Sequence, residues 1–383
     1  MLITMQLLKV VTATFKIKQK VMCNTLKAHI GNFVHQKKKK KKASKNDRKL
    51  FHLVTFPPWF LSDHWKTLRN AAPVPDMRVS EEDNVIPVII CASEERMGGT
   101  MAAINSVYSN TDASVFFYIV TFRDAVKLTR QYIERTELKG IKYKILEFNP
   151  MVLRGKVKPD SSRPDLLHPL NFVRFYLPLL DINHKRVIYL DDDVIVQGDI
   201  KDLFHIKLKP GHAAAFATDC DLPSTHEMVR SIGMQTTYMG FLDYRKQEIK
   251  DLGINPRDCS FNPGVFVADI SEWKKQKITK QLEKWMEENF RLNIYSSAMA
   301  GGVATPPMLI VFHDKYTTLD PLWHVRHLGW SPDARYSESF LQEAHLLHWN
   351  GPFQTMELSC CSLGSVGEVV HPRPLRKILL GTT

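Results

Sequence analysis

The stretch RVIYLDDDVIVQGDIKDLF occupies residues 186–204. Its opening RVIYL is an apolar, β-branched run that predicts a buried strand. That run ends directly on Asp191, Asp192 and Asp193. In extended backbone, residues i and i+2 face the same side, so the spacing predicts that Asp191 and Asp193 converge. Carboxylates clustered at one strand tip repel one another unless a cation is close. Oxygen ligands of this kind suit Mn2+ or Mg2+. Such an ion clamps a diphosphate and neutralises charge on a departing phosphate oxygen. The strand end is also where open α/β sheets hold their ligands. An acidic triplet alone reads as a solvated turn. Here a second apolar run, Gly198 and a further acidic turn follow it, which makes the signal much more specific.

Outward from this stretch the chain alternates in a regular way. Residues 85–92, 115–121 and 141–148 read as short apolar strands, and residues 98–108 and 125–138 as helices between them. Residues 170–180 read as helical up to Pro178, and residues 264–268 as a further strand. Residues 271–289 read as one long amphipathic helix, striped by Trp273, Ile278, Leu282, Trp285 and Met286, and residues 301–307 as a Gly/Pro-rich loop. Strands alternating with helices of this length predict crossover units and a mostly parallel central sheet. The strands are continuous apolar runs, as strands buried on both faces must be.

Beyond these limits the composition changes. Residues 1–84 read as an N-terminal tail or stem and residues 352–383 as a divergent C-terminal tail, which leaves residues 85–351 as the α/β domain. The chain has 383 residues, 44% hydrophobic and 24% charged, with a formal net charge of +12. That is ordinary globular composition. Half of the net charge comes from the run Lys37–Lys42. A block of like charge repels itself and stays solvated, and no aromatic residues interleave with it as single-strand binding would require. No nucleic acid is therefore expected as a partner. The six cysteines include no C-x-x-C pair, so zinc-ribbon spacing is absent. Pairing of Cys220 with Cys259 in an oxidising lumen is left open. No run of 18 apolar residues predicts a membrane span, and residues 1–17 lack the continuous apolar centre of a signal peptide.

Two other chemistries use aspartates in this way. Haloacid-dehalogenase-type phosphatases carry Asp-x-Asp after an apolar strand, but near the start of the domain and with Thr or Val where this chain has Ile195. Terpene cyclases place an aspartate-rich motif on a helix, against which the β-branched surroundings argue.

The motif and its setting resemble the family 8 glycosyltransferases, over roughly residues 85–351 and most strongly over residues 189–200. The resemblance implies a GT-A, Rossmann-like α/β fold. It implies a metal-dependent transfer of a hexosyl group from a UDP-sugar to a hydroxyl of a glycan or protein acceptor, with retention at the anomeric carbon. It implies that Asp191, Asp193 and His348, the last in LLHWNG, hold Mn2+ or Mg2+. Ala92 and Ser93 fall in the family's uridine-binding turn, and Asp192 joins them at the nucleotide-sugar. In NFVRFYLP, Arg174 reaches the nucleotide-sugar and, with Asp193, carries the catalytic role. Asn262 in FNPGVFV lies by the donor sugar, and Gly351 lies under the phosphates. Localisation to the Golgi membrane as a type II protein and a homo-oligomeric state are further implications. Three positions depart from the family pattern. Gln354 stands at the lysine of a Lys-Pro-Trp that does not follow, and Thr305 and Pro306 align with an Asp-Gln pair. These departures motivate a second reading, a pseudoenzyme that binds nucleotide-sugar without turnover. A third, an Asp-dependent phosphohydrolase acting through Asp191, stays open on the motif alone.

Overall fold

The computed structural model describes residues 85–158, 164–218, 237–295, 303–329 and 336–351. The expected strand ahead of the acidic triplet is β4 (Arg186–Leu190), and four of its five residues are buried. It lies at the centre of a seven-stranded sheet of order β3-β2-β1-β4-β7-β6-β8. The other strands are β1 (Val85–Cys91), β2 (Ser114–Thr121), β3 (Lys142–Glu147), β6 (Ala214–Ala217), β7 (Val265–Asp269) and β8 (Thr317–Leu319). The sheet is mostly parallel, as expected: β1 runs parallel to β4, β2 to β3 and β6 to β8. The exception is β7, antiparallel to both β4 and β6. Its direction matters for the site. It sets the start of β7 beside the end of β4, so the segment 262–264 meets the aspartates.

Alternate residues of each strand feed two cores, as the period of two demands. Val187 and Tyr189 face one, with Phe266, Trp273 and Leu282. Ile188 and Leu190 face the other, with Ile104 and Val267. Tyr189 stacks on its cross-strand partner Phe266 at 5.0 Å between ring centroids. A second sheet pairs β5 (Val194–Val196) antiparallel with β9 (Leu346–His348). It rests on a third, smaller cluster that includes Val325, Phe340 and Leu347.

The helices are α1 (Met97–Ser109), α2 (Val126–Glu134), α3 (Ile200–Phe204), α4 (Gln247–Lys250), α5 (Ile270–Lys275), α6 (Ile278–Leu292), α7 (Thr305–Phe312) and α8 (Glu338–Glu343). Four expectations are corrected. The helix expected over residues 125–138 ends at Glu134, and a 3-10 turn, Glu137–Gly140, follows. Residues 170–180 form two 3-10 turns, Pro169–Phe175 and Leu177–Leu179. Each carries a proline in its first turn, where the missing N–H costs nothing but an α-helix cannot run through. The single helix expected over residues 271–289 is two, α5 and α6, divided at Lys277, whose φ of 55° is left-handed. One apolar stripe spans both, because Trp273 on α5 and Ile278, Leu282 and Met286 on α6 enter the same core. Finally, residues 305–307 are not loop. They form the first turn of α7, where prolines are tolerated, while residues 301 and 302 lie outside the described residues.

The expected tails over residues 1–84 and 352–383, with Lys37–Lys42 and Gln354, also lie outside the described residues. Among the described residues no helix is long and apolar enough to cross a membrane.

Candidate active site

Asp191 follows directly on β4, and Asp192 and Asp193 form a turn rather than extended backbone. The expected strand geometry is thus corrected, yet Asp191 and Asp193 do converge, and tertiary contacts rather than strand pleat bring them together. The Asp191 N–H donates to Gly264 O at 2.8 Å, and Trp349 N–H donates to Asp193 O at 2.9 Å. The first contact ties the triplet to the start of β7 and the second to the end of β9. In the β5–β9 ladder Val194 pairs with His348, which places the imidazole beside the preceding aspartate. His348 Nε2 lies 2.9 Å from Asp193 Oδ1 and 3.9 Å from Asp191 Oδ2. One ligand atom from each of Asp191, Asp193 and His348 falls within 4.8 Å of the others.

The floor of this cluster is Gly264. A Cβ there would come within 2.5 Å of Asp191 Oδ2, 2.6 Å of His348 Cε1 and 2.9 Å of Asn262 Oδ1. Asn262 sits at the same point and accepts the Gly264 N–H at 2.8 Å. A side chain there would push apart a carboxylate, an imidazole and a carboxamide that glycine leaves this close. Two carboxylates with one imidazole and an uncrowded floor fit a Mn2+ or Mg2+ ion.

Two guanidiniums balance the triplet. Arg174 is buried, and its Nη2 donates to Asp191 Oδ1 at 2.7 Å. Its Nη1 donates to Pro263 O at 2.6 Å and its Nε to Asn171 O at 3.0 Å. The guanidinium also lies over the Tyr189 ring, 4.9 Å from the centroid. The 3-10 turn that carries Arg174 therefore delivers a cation with fully specified partners. Arg96 comes from the turn after β1. Its Nη2 reaches Asp192 Oδ1 at 2.6 Å and Asp193 Oδ2 at 2.8 Å. Burial pushes Asp192 up to about 7, against the pull of Arg96 and with a further push from Asp193. Burial also raises Asp191, partly offset by Arg174. For Asp193 burial is outweighed by His348 and Arg96, which hold it below the usual carboxylate range.

His324 supports the imidazole from behind. Its Nε2 lies 2.8 Å from His348 Nδ1, and the two rings stack at 5.0 Å. Burial and the neighbouring His348 hold His324 well below its ordinary value, so it is neutral. A neutral partner at Nδ1 orients the ring and leaves Nε2 facing the aspartates.

The remaining expected positions lie as follows. Ala92 and Ser93 are buried in the turn after β1, and the Ala92 N–H donates to Val120 O at 2.8 Å. Gly351 is buried, and its N–H donates to Leu328 O at 3.1 Å. Thr305 and Pro306 are buried in the first turn of α7. Cys259 is disulfide-bonded; Cys220, its suggested partner, lies outside the described residues. Arg96 and His324 were not singled out from sequence. An arginine after Glu94 and Glu95 reads as surface, and a histidine in PLWHV carries no local signal.

Residues 87–354 match the family model for Glycosyl transferase family 8. The chain is 66% identical over 271 residues to Glycosyltransferase 8 domain-containing protein 2 of Homo sapiens, covering 71% of this chain and 78% of that protein. It is 53% identical over 276 residues to Glycosyltransferase 8 domain-containing protein 1 of Mus musculus, covering 72% and 74%. In fold it is similar to the galactosyltransferase LgtC solved with donor and acceptor sugar analogs, at a TM-score of 0.52 and 15% identity, over 73% of this chain and 95% of that one. The chain belongs to glycosyl transferase family 8, on a GT-A α/β fold. The phosphohydrolase reading is accordingly set aside. Asp191, its required nucleophile, has both carboxylate oxygens facing Arg174.

Proposed function

We propose that this chain transfers a hexosyl group from a UDP-sugar to a hydroxyl of a glycan or protein acceptor, with retention of anomeric configuration. Asp191, Asp193 and His348 would hold Mn2+, or Mg2+ in its place. When bound, that ion supplies charge neutralisation at the diphosphate of the donor. The observation that carries the reading is the convergence of these three ligand atoms within 4.8 Å of one another, with Gly264 leaving room beside Asp191 and His348. Arg174 holds Asp191 in position and adds a fixed positive charge beside the site, which favours the anionic leaving group electrostatically. Ala92 and Ser93 are assigned to the uridine, Asp192 to the nucleotide-sugar, Asn262 to the donor sugar and Gly351 to the phosphates. These assignments rest on the family resemblance.

In the reaction the acceptor oxygen bonds to the anomeric carbon as the bond from that carbon to the UDP oxygen breaks. The acceptor proton passes to the departing phosphate oxygen. A front-face exchange of this kind asks no side chain to act as a covalent nucleophile. The family resemblance likewise supports placement at the Golgi membrane as a type II protein.

The departures at Thr305 and Pro306 favour a second reading, in which the nucleotide-sugar binds but is not turned over. Both residues are buried in α7, and neither carries the carboxylate or carboxamide of the Asp-Gln pair. Slow metal-dependent hydrolysis of a UDP-sugar would eliminate that reading.

The test is calorimetric titration of UDP with and without Mn2+, against a protein carrying Asp191→Ala and Asp193→Ala. Metal-dependent binding that the double variant loses is the expected result. Binding with undiminished metal dependence in the variant would overturn the assignment.

A further inference from the structure

The two arginines of the site differ in kind. Arg174 is buried, and backbone carbonyls as well as Asp191 take its N–H groups. It has no freedom to leave. The Arg96 side chain is 39% exposed, and its salt bridges are both to carboxylates of the triplet. Its backbone is anchored independently: the Arg96 N–H donates to Ser93 O, and Arg96 O accepts from Thr100 N–H in the first turn of α1. The head group can therefore swing while its Cα stays in place. The α1 backbone also presses on the triplet, because a Cβ at Gly99 would meet Asp192 O at 2.8 Å. A long cationic side chain is thus rooted within reach of the site whichever partner its head takes.

Its present partners are informative. Asp193 Oδ1 faces His348 Nε2, and Oδ2 faces Arg96. A divalent cation held by Asp193 and His348 would compete with Arg96 for the same carboxylate. Above about pH 7, with Asp192 ionised, three carboxylates against two guanidiniums leave one net negative charge on the cluster. A divalent cation reverses that to one net positive charge, which repels a guanidinium and attracts an anion. A nucleoside diphosphate entering with the cation offers Arg96 a forked match in place of the two carboxylates, both of which it reaches through Nη2 alone.

We propose that Arg96 is a diphosphate-binding residue of the donor site, parked on Asp192 and Asp193 until cation and nucleotide arrive together. By this exchange metal binding and nucleotide binding become mutually dependent. Each ligand favours the state in which Arg96 has left the carboxylates, so each raises the affinity of the other by the same factor. The inference rests on the donor-site reading above and deepens it.

The full chain, its Arg96→Gln variant and its Arg96→Lys variant are compared with three probes. Mn2+ alone is followed by electron paramagnetic resonance of the free ion; UDP and uridine are titrated at saturating Mn2+. Arg96→Gln removes the competitor, so Mn2+ alone binds about tenfold tighter, on the scale of a charge-assisted hydrogen bond. UDP binds about tenfold weaker for the same reason. Uridine, which has no phosphate, is unaffected. Arg96→Lys retains the charge but not the fork, and falls between the two for both ligands. Unchanged or weaker Mn2+ binding in Arg96→Gln would overturn the exchange. Equal losses for UDP and uridine would overturn the diphosphate role and make Arg96 a support for the turn. If the unaltered chain shows no metal-dependent UDP binding, the donor-site reading itself fails and this inference with it.

Discussion

Gly264 shows how one residue without a side chain sets the chemistry of a site. Its Cα approaches Asp191, His348 and Asn262 so closely that a single methyl group would collide with all three. In Gly264→Ala the ligands must separate, and Mn2+ affinity falls by about tenfold or more, on the scale of altered metal surroundings. The loss is read by paramagnetic resonance of the free ion, and unchanged affinity would remove glycine from this role. Asp192 makes a second prediction at the same scale. Burial holds it up to about 7, so it carries a proton below that value and a charge above it. Cation binding draws on the charged form. Asp192 is not a ligand, so its charge acts through space beside Asp191 and Asp193: Mn2+ affinity rises from about pH 6 to about pH 8 and levels off above, once Asp192 is ionised. Affinity that falls over this range would contradict the assignment.

Among the elements, the strands were the most legible. Residues 186–190 read as a buried strand and form one, because an apolar β-branched run has no other stable setting at that length. Helical stretches were less legible where local chemistry cut across periodicity. The stripe from Trp273 to Met286 is continuous, yet the backbone breaks at Lys277, and nothing in the stripe reveals a left-handed residue. The prolines at 306 and 307 read as loop but begin a helix. Proline disrupts a helix interior and suits a helix start, and composition alone does not distinguish the two. The start of α5 is set by Asp269, whose side chain accepts the Glu272 N–H at 2.9 Å. Asp269→Ala removes that cap at a cost of about 1 kcal/mol. In a domain of this size it lowers the melting temperature by about 2–4 °C. Metal affinity does not change, because α5 lies at the opposite end of β7 from the aspartates. A loss of metal binding at full stability would contradict this.

At the scale of the whole molecule the site is a meeting of three sheet elements: the end of β4, the start of β7 and the end of β9. The small cluster beneath β9 is therefore expected to bear on function more than its size suggests. Phe340 is buried in it with Leu347. Phe340→Ala loosens the strand that carries His348 and reduces Mn2+ affinity about tenfold, as removal of support behind a ligand does. Trp273 lies in the large core on one face of the main sheet. Trp273→Ala costs about 3–5 kcal/mol of stability, while the protein that stays folded keeps its metal affinity. Urea unfolding and metal titration on both variants separate the two kinds of loss, and the reverse pattern would contradict this division.

The sequence by itself determined the alternating architecture, the central strand and the acidic turn at its tip. These follow from local runs of apolar residues and from the cost of clustering carboxylates. The likeness of short segments to one glycosyltransferase family was also readable there, down to Arg174, Asn262 and His348. How the carboxylates are neutralised and why they converge follow from packing between distant segments. The strand pleat predicted convergence, but the chain turns at Asp192 and Asp193, and the contacts to Gly264 and Trp349 hold Asp191 and Asp193. Arg96 and His324 are brought to the triplet from the turn after β1 and the segment before β9. Such partners are distant in the chain and leave no periodic mark on it. Charge balance in a buried cluster is a property of packing, and it became visible only once the elements were assembled.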